Sequence, residues 1–421
     1  MNILLRNVVV LDKHSEWHAK KVDVHIYNGK ILNIGEFPAP ENAKSFDTEG
    51  AYVSPGWFDI GTRLTDPGYE SLDDMDTLAK SAIKGGFTGL AVFPNTEPAN
   101  DNKSIVQTII NKSKELAVDL YPVAAISKGC KGTEMSEMMD LHKHGAIAFS
   151  DGKIPVAHPG VLSRALRYTS ILPTPVINHP EDNNISENGI VNEGEMSVYL
   201  GMKGRPVLAE YIMLVRDISL CEYNDAHIIS HMISASDSVK LIKEAKKKKI
   251  KINSTVSYHN LVASEDVLKD FDSMHKVLPP LRTKSDINSL ISGLKDGTID
   301  AIVSNHYPLD VEDKKKAFFD TKFGALGLES LFVVLNYHLS SKLDLELIID
   351  KISNSPREIL GLPLVTIKQG ESANLTIFTS EGISTFTEQD IKSKSKNSPF
   401  TGNKIKGKVL GTVNKGMVNW N

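Results

Sequence analysis

Eight short apolar runs, each followed by a stretch that reads as helix, constrain the fold more than any other feature of this chain. They lie at 53–60, 89–93, 120–126, 146–149, 175–178, 226–230, 250–254 and 299–303. Apolar strands alternating with helices pair in parallel and are covered on both faces, and eight of them close a (β/α)8 TIM barrel. The flanks read differently. Residues 3–10, 22–28 and 30–34 are β-rich, with Tyr27-Asn28-Gly29-Lys30 as a hairpin turn, and short strands return at 373–378, 408–413 and 417–419. The sequence therefore predicts an α/β chain with two domains. Residues 1–52 and 365–421 build a discontinuous small β-sandwich from both termini, and residues 53–364 build the barrel.

With 421 residues, 41% of them hydrophobic and 24% charged, the chain can bury a core in each unit. A net charge of −4 argues against nucleic acid as a partner, because phosphate-binding surfaces are strongly basic. The one basic run, at 246–249, reads as a solvated helix end, where cations favour the terminal carbonyls. Cys130 and Cys221 have no Cys-x-x-Cys spacing and read as reduced, unreactive thiols, which predicts a cytoplasmic protein. The apolar first ten residues are too short to span a membrane and lack a basic leader and cleavage site, so they read as a strand.

Chemistry in such a barrel sits at the C-terminal ends of the strands. After the first strand stands Gly61-Thr62-Arg63-Leu64-Thr65-Asp66-Pro67-Gly68; Pro94-Asn95-Thr96 follows the second, and Ala148-Phe-Ser-Asp151-Gly152-Lys153-Ile-Pro-Val156 spans the fourth. Further on come Asn178-His179-Pro-Glu-Asp182, Asn192-Glu-Gly-Glu-Met-Ser197, Arg216-Asp217-Ile218, His227-Ile-Ile-Ser-His231, Lys276-Val-Leu-Pro-Pro-Leu-Arg282, Ser304-Asn305-His306-Tyr307-Pro308 and Lys394-Ser-Lys-Asn-Ser-Pro-Phe400. About ten such segments, in order across residues 50–420, resemble dihydroorotase, an amidohydrolase of pyrimidine biosynthesis. The resemblance implies a zinc-activated hydroxide that opens a cyclic amide, with a strand-eight aspartate carrying the proton.

Several positions depart from the family pattern. Gly61 and Arg63 replace a His-x-His metal pair; glycine has no donor atom, and a guanidinium is a permanent cation. One aspartate of the family's Asp-Asp-Gly is missing at 151–153. Asn305 replaces the catalytic aspartate, and a carboxamide cannot take up a proton at ordinary pH. Thr65 stands where the family has an arginine that clamps the substrate carboxylate, whereas Asn95, a carboxylate contact, is kept. His306 is also retained as a pocket candidate.

Asp151, His179 and His231 remain as residual metal ligands, and two readings follow. In one, they hold a single zinc ion and the chain hydrolyses a cyclic amide. In the other, which the sequence favours, Arg63 pairs with Asp151, no cofactor is bound and the barrel is a non-catalytic homologue. Such a scaffold would self-associate or contact a pathway enzyme, because some dihydroorotase-like chains that have lost metal ligands partner aspartate transcarbamoylase. A sensor that binds a pyrimidine-like ligand through Asn95 is a third reading. His227 reads as a hydrogen-bonded strand histidine, His259 as packing near the pocket, and the acidic segment at 192–196 as a loop and helix cap.

Overall fold

The computed structural model describes residues 2–421. Eight parallel strands form the barrel: Trp57–Arg63, Phe87–Phe93, Asp119–Ala124, Ala148–Phe149, Val176–Asn178, Ile228–Ser230, Ile252–Ser257 and Ala301–Val303. Every strand run predicted between 89 and 303 falls on one of them. The first and eighth strands close the ring through a buried clasp. Asp59 accepts hydrogen bonds from the backbone and hydroxyl of Ser304, both at 2.7 Å, and from the Thr62 hydroxyl. Arg63 N–H adds a bond to the His306 carbonyl at 3.2 Å.

The ring is filled by Phe58, Ile60, Ala91, Phe93, Val123, Ile177, Ile229 and Val303, and a larger core lies between the strands and the surrounding helices. The helices start and stop where their sequences dictate. Met75–Gly85 opens on an Asp74/Thr77 capping box and ends at Gly86 in the left-handed region, and Lys284–Lys295 opens on a Thr283/Asp286 box. The basic run at 246–249 ends the helix Ser236–Lys247, where Lys246 pairs with Asp300 at 2.7 Å.

A second eight-stranded sheet joins both ends of the chain, with the N-terminal strands Asn2–Val10, Lys21–Tyr27, Lys30–Gly35, Lys44–Asp47 and Tyr52–Pro55 beside Leu375–Thr385, Lys404–Asn414 and Met417–Trp420. Its inward residues, among them Leu5, Val24, Ile26, Val53, Leu375 and Val413, enclose a core of their own. One strand needs correction. The run at 53–60 is two strands, since Tyr52–Pro55 pairs with the C-terminal strand Leu375–Thr385 and the chain enters the barrel only after Gly56. Hydrophobicity runs unbroken through both, so composition could not mark the crossing. Trp57 seals the joint: it is fully buried, packs against Phe87, Phe332 and Phe378, and donates its indole N–H to Ser54 at 3.0 Å. No described helix is long and apolar enough to cross a membrane.

Candidate functional site

Arg63 ends the first strand and turns toward the barrel mouth. Its guanidinium donates to the Pro308 carbonyl at 3.0 Å and lies 4.2 Å from the Tyr307 ring centroid and 5.4 Å from that of Tyr69. It does not pair with Asp151, as the sequence led one to expect. The Asp151 carboxylate is taken by Ser127, which donates its backbone N–H at 3.0 Å and its hydroxyl at 2.5 Å. Burial raises the Asp151 pKa against those two bonds.

Gly61 has φ +85, and a Cβ placed there would lie 2.5 Å from His231 Nε2 and 2.8 Å from Phe93. The imidazole of His231 thus occupies the space that a side chain at 61 would need. It packs edge-on against Phe93 with centroids 5.0 Å apart, and its Nε2 is buried without a partner. Its Nδ1 shares a hydrogen bond with the Thr255 hydroxyl at 3.0 Å. His179 donates Nδ1–H to the His231 carbonyl at 3.1 Å. Burial lowers the pKa of both rings, and for His231 the neighbouring His179 and Lys153 charges add to the effect.

The resemblance implies zinc, which needs at least three convergent donors. The trigonal set expected from Asp151, His179 and His231 is not formed. Among the described residues no three His, Cys, Asp or Glu side chains converge at ligand distances, because Asp151 is turned to Ser127 and positions 61 and 63 supply no donor. As placed, these residues do not fit a metal ion.

The other pocket candidates have also been turned to internal duties. Asn95 donates its amide to the Asp151 carbonyl at 3.1 Å, and its Oδ1 lies 1.7 Å from where a Cβ on Gly152 would be. The lost second aspartate is therefore what lets Asn95 fold over the fourth strand's turn. Thr65 is buried and donates to the Asp73 carbonyl at 2.6 Å rather than facing a ligand. Asn305, with φ +51, donates its amide to the Leu278 carbonyl at 2.9 Å and leaves its Oδ1 buried and unpartnered. His306 is fully buried. Its Nδ1 accepts backbone N–H from Gly327 and Leu328, at 3.2 and 3.3 Å, and the ring lies 3.9 Å from both Asp73 and Glu329.

What the mouth does present is a cavity of about 550 Å³ whose lining includes Arg63, Tyr69, Lys153, Tyr307, Lys322 and Phe323. Lys153 is its central feature and was overlooked in the sequence. Its ammonium lies 4.4 Å from the Tyr307 centroid, and its pKa falls below the ordinary lysine value through removal from water, then the Arg63 and Lys314 charges. The signal was present in the motifs: Lys153 stands where the family has the glycine of Asp-Asp-Gly, and Tyr307 where it has alanine before proline.

The remaining assignments are structural. His227 precedes its strand, at the end away from the mouth, and bonds Asn253 at 2.7 Å. His259 stacks on Phe400 with centroids 5.7 Å apart. Asn192 joins a buried network, accepting from Arg282 and donating to Glu265 at 2.7 Å each, while Gly194 caps the helix Glu195–Leu200. Both cysteines are buried, and burial pushes their thiol pKa values up, that of Cys221 to about 12.

Comparisons with known proteins agree with this architecture. A family described as "Dihydro-orotase-like" matches residues 50–238. A dihydroorotase of Acetivibrio thermocellus is 40% identical over 400 residues, 94% of each chain, and one of Syntrophus aciditrophicus is 36% identical over 99% of each. Among solved structures, L-hydantoinase (dihydropyrimidinase) from Arthrobacter aurescens superposes with a TM-score of 0.85 over 99% of this chain and 95% of its own, at 22% identity. Dihydropyrimidinase from Brevibacillus agri gives 0.84 at the same identity, over 99% of this chain and 95% of its own. The structural matches carry the fold, a TIM barrel with a β-sandwich. The sequence matches, at these identities over nearly the full length, carry the family: the chain belongs to the dihydroorotases.

Proposed function

We propose that this chain is a dihydroorotase-family protein of pyrimidine biosynthesis that does not hydrolyse a cyclic amide and serves as a non-catalytic homologue. One observation carries the reading: Gly61, Arg63 and Asn305 take the positions where the resemblance implies two imidazoles and a proton-carrying carboxylate. A carboxamide engaged with the Leu278 carbonyl cannot act as a general base, and a guanidinium beside the pocket repels a metal cation. Catalytic zinc activates a bound water when imidazole, carboxylate or thiolate ligands hold it with one position open, and neither glycine nor arginine supplies such a ligand.

The competing reading is a one-zinc hydrolase on Asp151, His179 and His231. The unpartnered His231 Nε2 favours it, as do the printed names of the relatives. It requires Asp151 to leave Ser127. Turnover of dihydroorotate, followed in both directions with and without added zinc, decides between them. No turnover above background is expected, and rates within about a hundredfold of ordinary enzymes, ~1–10³ per second, would establish the hydrolase instead.

A non-catalytic homologue acts through contacts, and a second copy of this chain is the partner proposed. Support comes from the helix Val207–Asn224, where Leu208, Tyr211, Ile212 and Val215 form an exposed apolar line at i, i+3, i+4 and i+7. No charged side chain interrupts that line, so its counterpart is apolar, and a two-fold axis brings the same line from another copy against it.

A further inference from the structure

Arg63 and Lys153 are two cations packed against one ring. The guanidinium carbon and the ammonium lie 4.2 and 4.4 Å from the Tyr307 centroid, and each charge repels the other. Neither forms an ion pair among the described residues. Among the described residues the only hydrogen bond of the Arg63 guanidinium goes to a backbone carbonyl, and its Nε is buried with no partner. The Tyr307 face offsets part of this cost, since a ring quadrupole attracts cations by about 0.5–2 kcal/mol, but it carries no net charge.

Two carboxylates, Asp310 and Asp313, line the same cavity, and neither pairs with Arg63 or Lys153 among the described residues. Asp313 is shared by Lys316 and Lys322, at 3.3 and 2.9 Å, Asp151 is held by Ser127, and Asp310 is solvent-exposed. Both free cations line the 550 Å³ cavity, which has room for a small molecule. Unpaired positive charge, an orphaned guanidinium nitrogen and a cavity coincide.

We propose that this cavity binds a small organic dianion, with Arg63 and Lys153 as its two cationic contacts. One negative group bridging the guanidinium and the ammonium replaces their repulsion with two charge-assisted bonds. A second negative group is met by Lys322 at the rim once Asp313 yields it. The inference deepens the non-hydrolytic reading, because it gives the altered mouth a ligand, yet it does not depend on the absence of turnover.

Isothermal titration of the full chain with malonate, inorganic phosphate and acetate at low ionic strength tests it. Saturable binding of malonate or phosphate is expected, at least about tenfold tighter than acetate. Malonate preferred over phosphate marks a dicarboxylate site, and the reverse marks a phosphate-ester site; both are dianion chemistry. Lys153→Met and Arg63→Met each weaken binding by about tenfold or more, and Lys153→Arg, which keeps the charge and controls for misfolding, preserves it. Lack of saturable binding for both dianions, or binding unchanged in both methionine variants, overturns the proposal. Dihydroorotate turnover is a separate readout, so a catalytically active chain that also binds malonate would refute the function proposed above and leave this site standing.

Discussion

Position 61 carries more of the account than any other single residue. Its backbone lies at φ +85 and a Cβ there would meet His231 and Phe93 below 3 Å, so Gly61→Ala combines left-handed strain with overpacking. The two effects, about 1–2 and 1–3 kcal/mol, sum to an expected loss of about 2–5 kcal/mol in denaturant unfolding. A loss under about 0.5 kcal/mol would show that His231 moves freely and that the imidazole is not fixed against the first strand. Position 152 works the same way, since only a residue without Cβ lets Asn95 reach the Asp151 carbonyl. These losses were legible as motif departures. What they do was not: the sequence suggested an Arg63–Asp151 pair, and nothing in a linear motif reveals that Ser127, on a different loop, had claimed the carboxylate.

At the scale of elements, the segment 393–400 explains itself once placed. Asn397 donates to the Tyr307 and Gly324 carbonyls, at 3.0 and 3.3 Å, and accepts from Leu309 N–H, while Ser393 binds Asp73. A piece of chain nearly a hundred residues beyond the eighth strand thus braces the loop that carries Tyr307. Another brace is cationic. Lys314, buried at the end of the short helix Val311–Lys314, donates to the Ser273 and Lys276 carbonyls at 2.8 and 3.1 Å. Burial, then the Lys276 charge, lowers its pKa to about 7, against about 10.4 unfolded. Above pH 7 the unfolded chain therefore binds more protons at this group, so stability rises with pH until the unfolded lysine also loses its proton; below 7 the penalty is constant. Relative to Lys314→Met, the free energy of unfolding is expected to increase by up to about 1.4 kcal/mol per unit between pH 7 and 9. A flat difference across that window would contradict the burial of this charge.

On the scale of the molecule, the barrel was legible because its period is long and redundant: eight apolar runs tolerate errors of a few residues at each end. The small sheet was legible as strands but not as pairings. Lys44–Asp47, parallel to Asn2–Val10, went unseen, as did a separate pair, Val191–Asn192 with Gly204–Arg205, each being too short for an alternation to show. The exposed line on Val207–Asn224 belongs to this scale as well. Sedimentation velocity is expected to give a dimer or a higher symmetric assembly, and Ile212→Glu, which places a charge inside the line, to shift it toward monomer. A wild-type monomer at micromolar concentration would remove that surface from the account.

The central claim is that the mouth of this barrel has exchanged metal ligands for a cationic, tyrosine-lined pocket. Metal content tests it most directly, measured by elemental mass spectrometry on chain purified without chelator and again after dialysis against zinc. The account predicts substoichiometric zinc in both preparations, and one tightly held zinc ion per chain in either would contradict it.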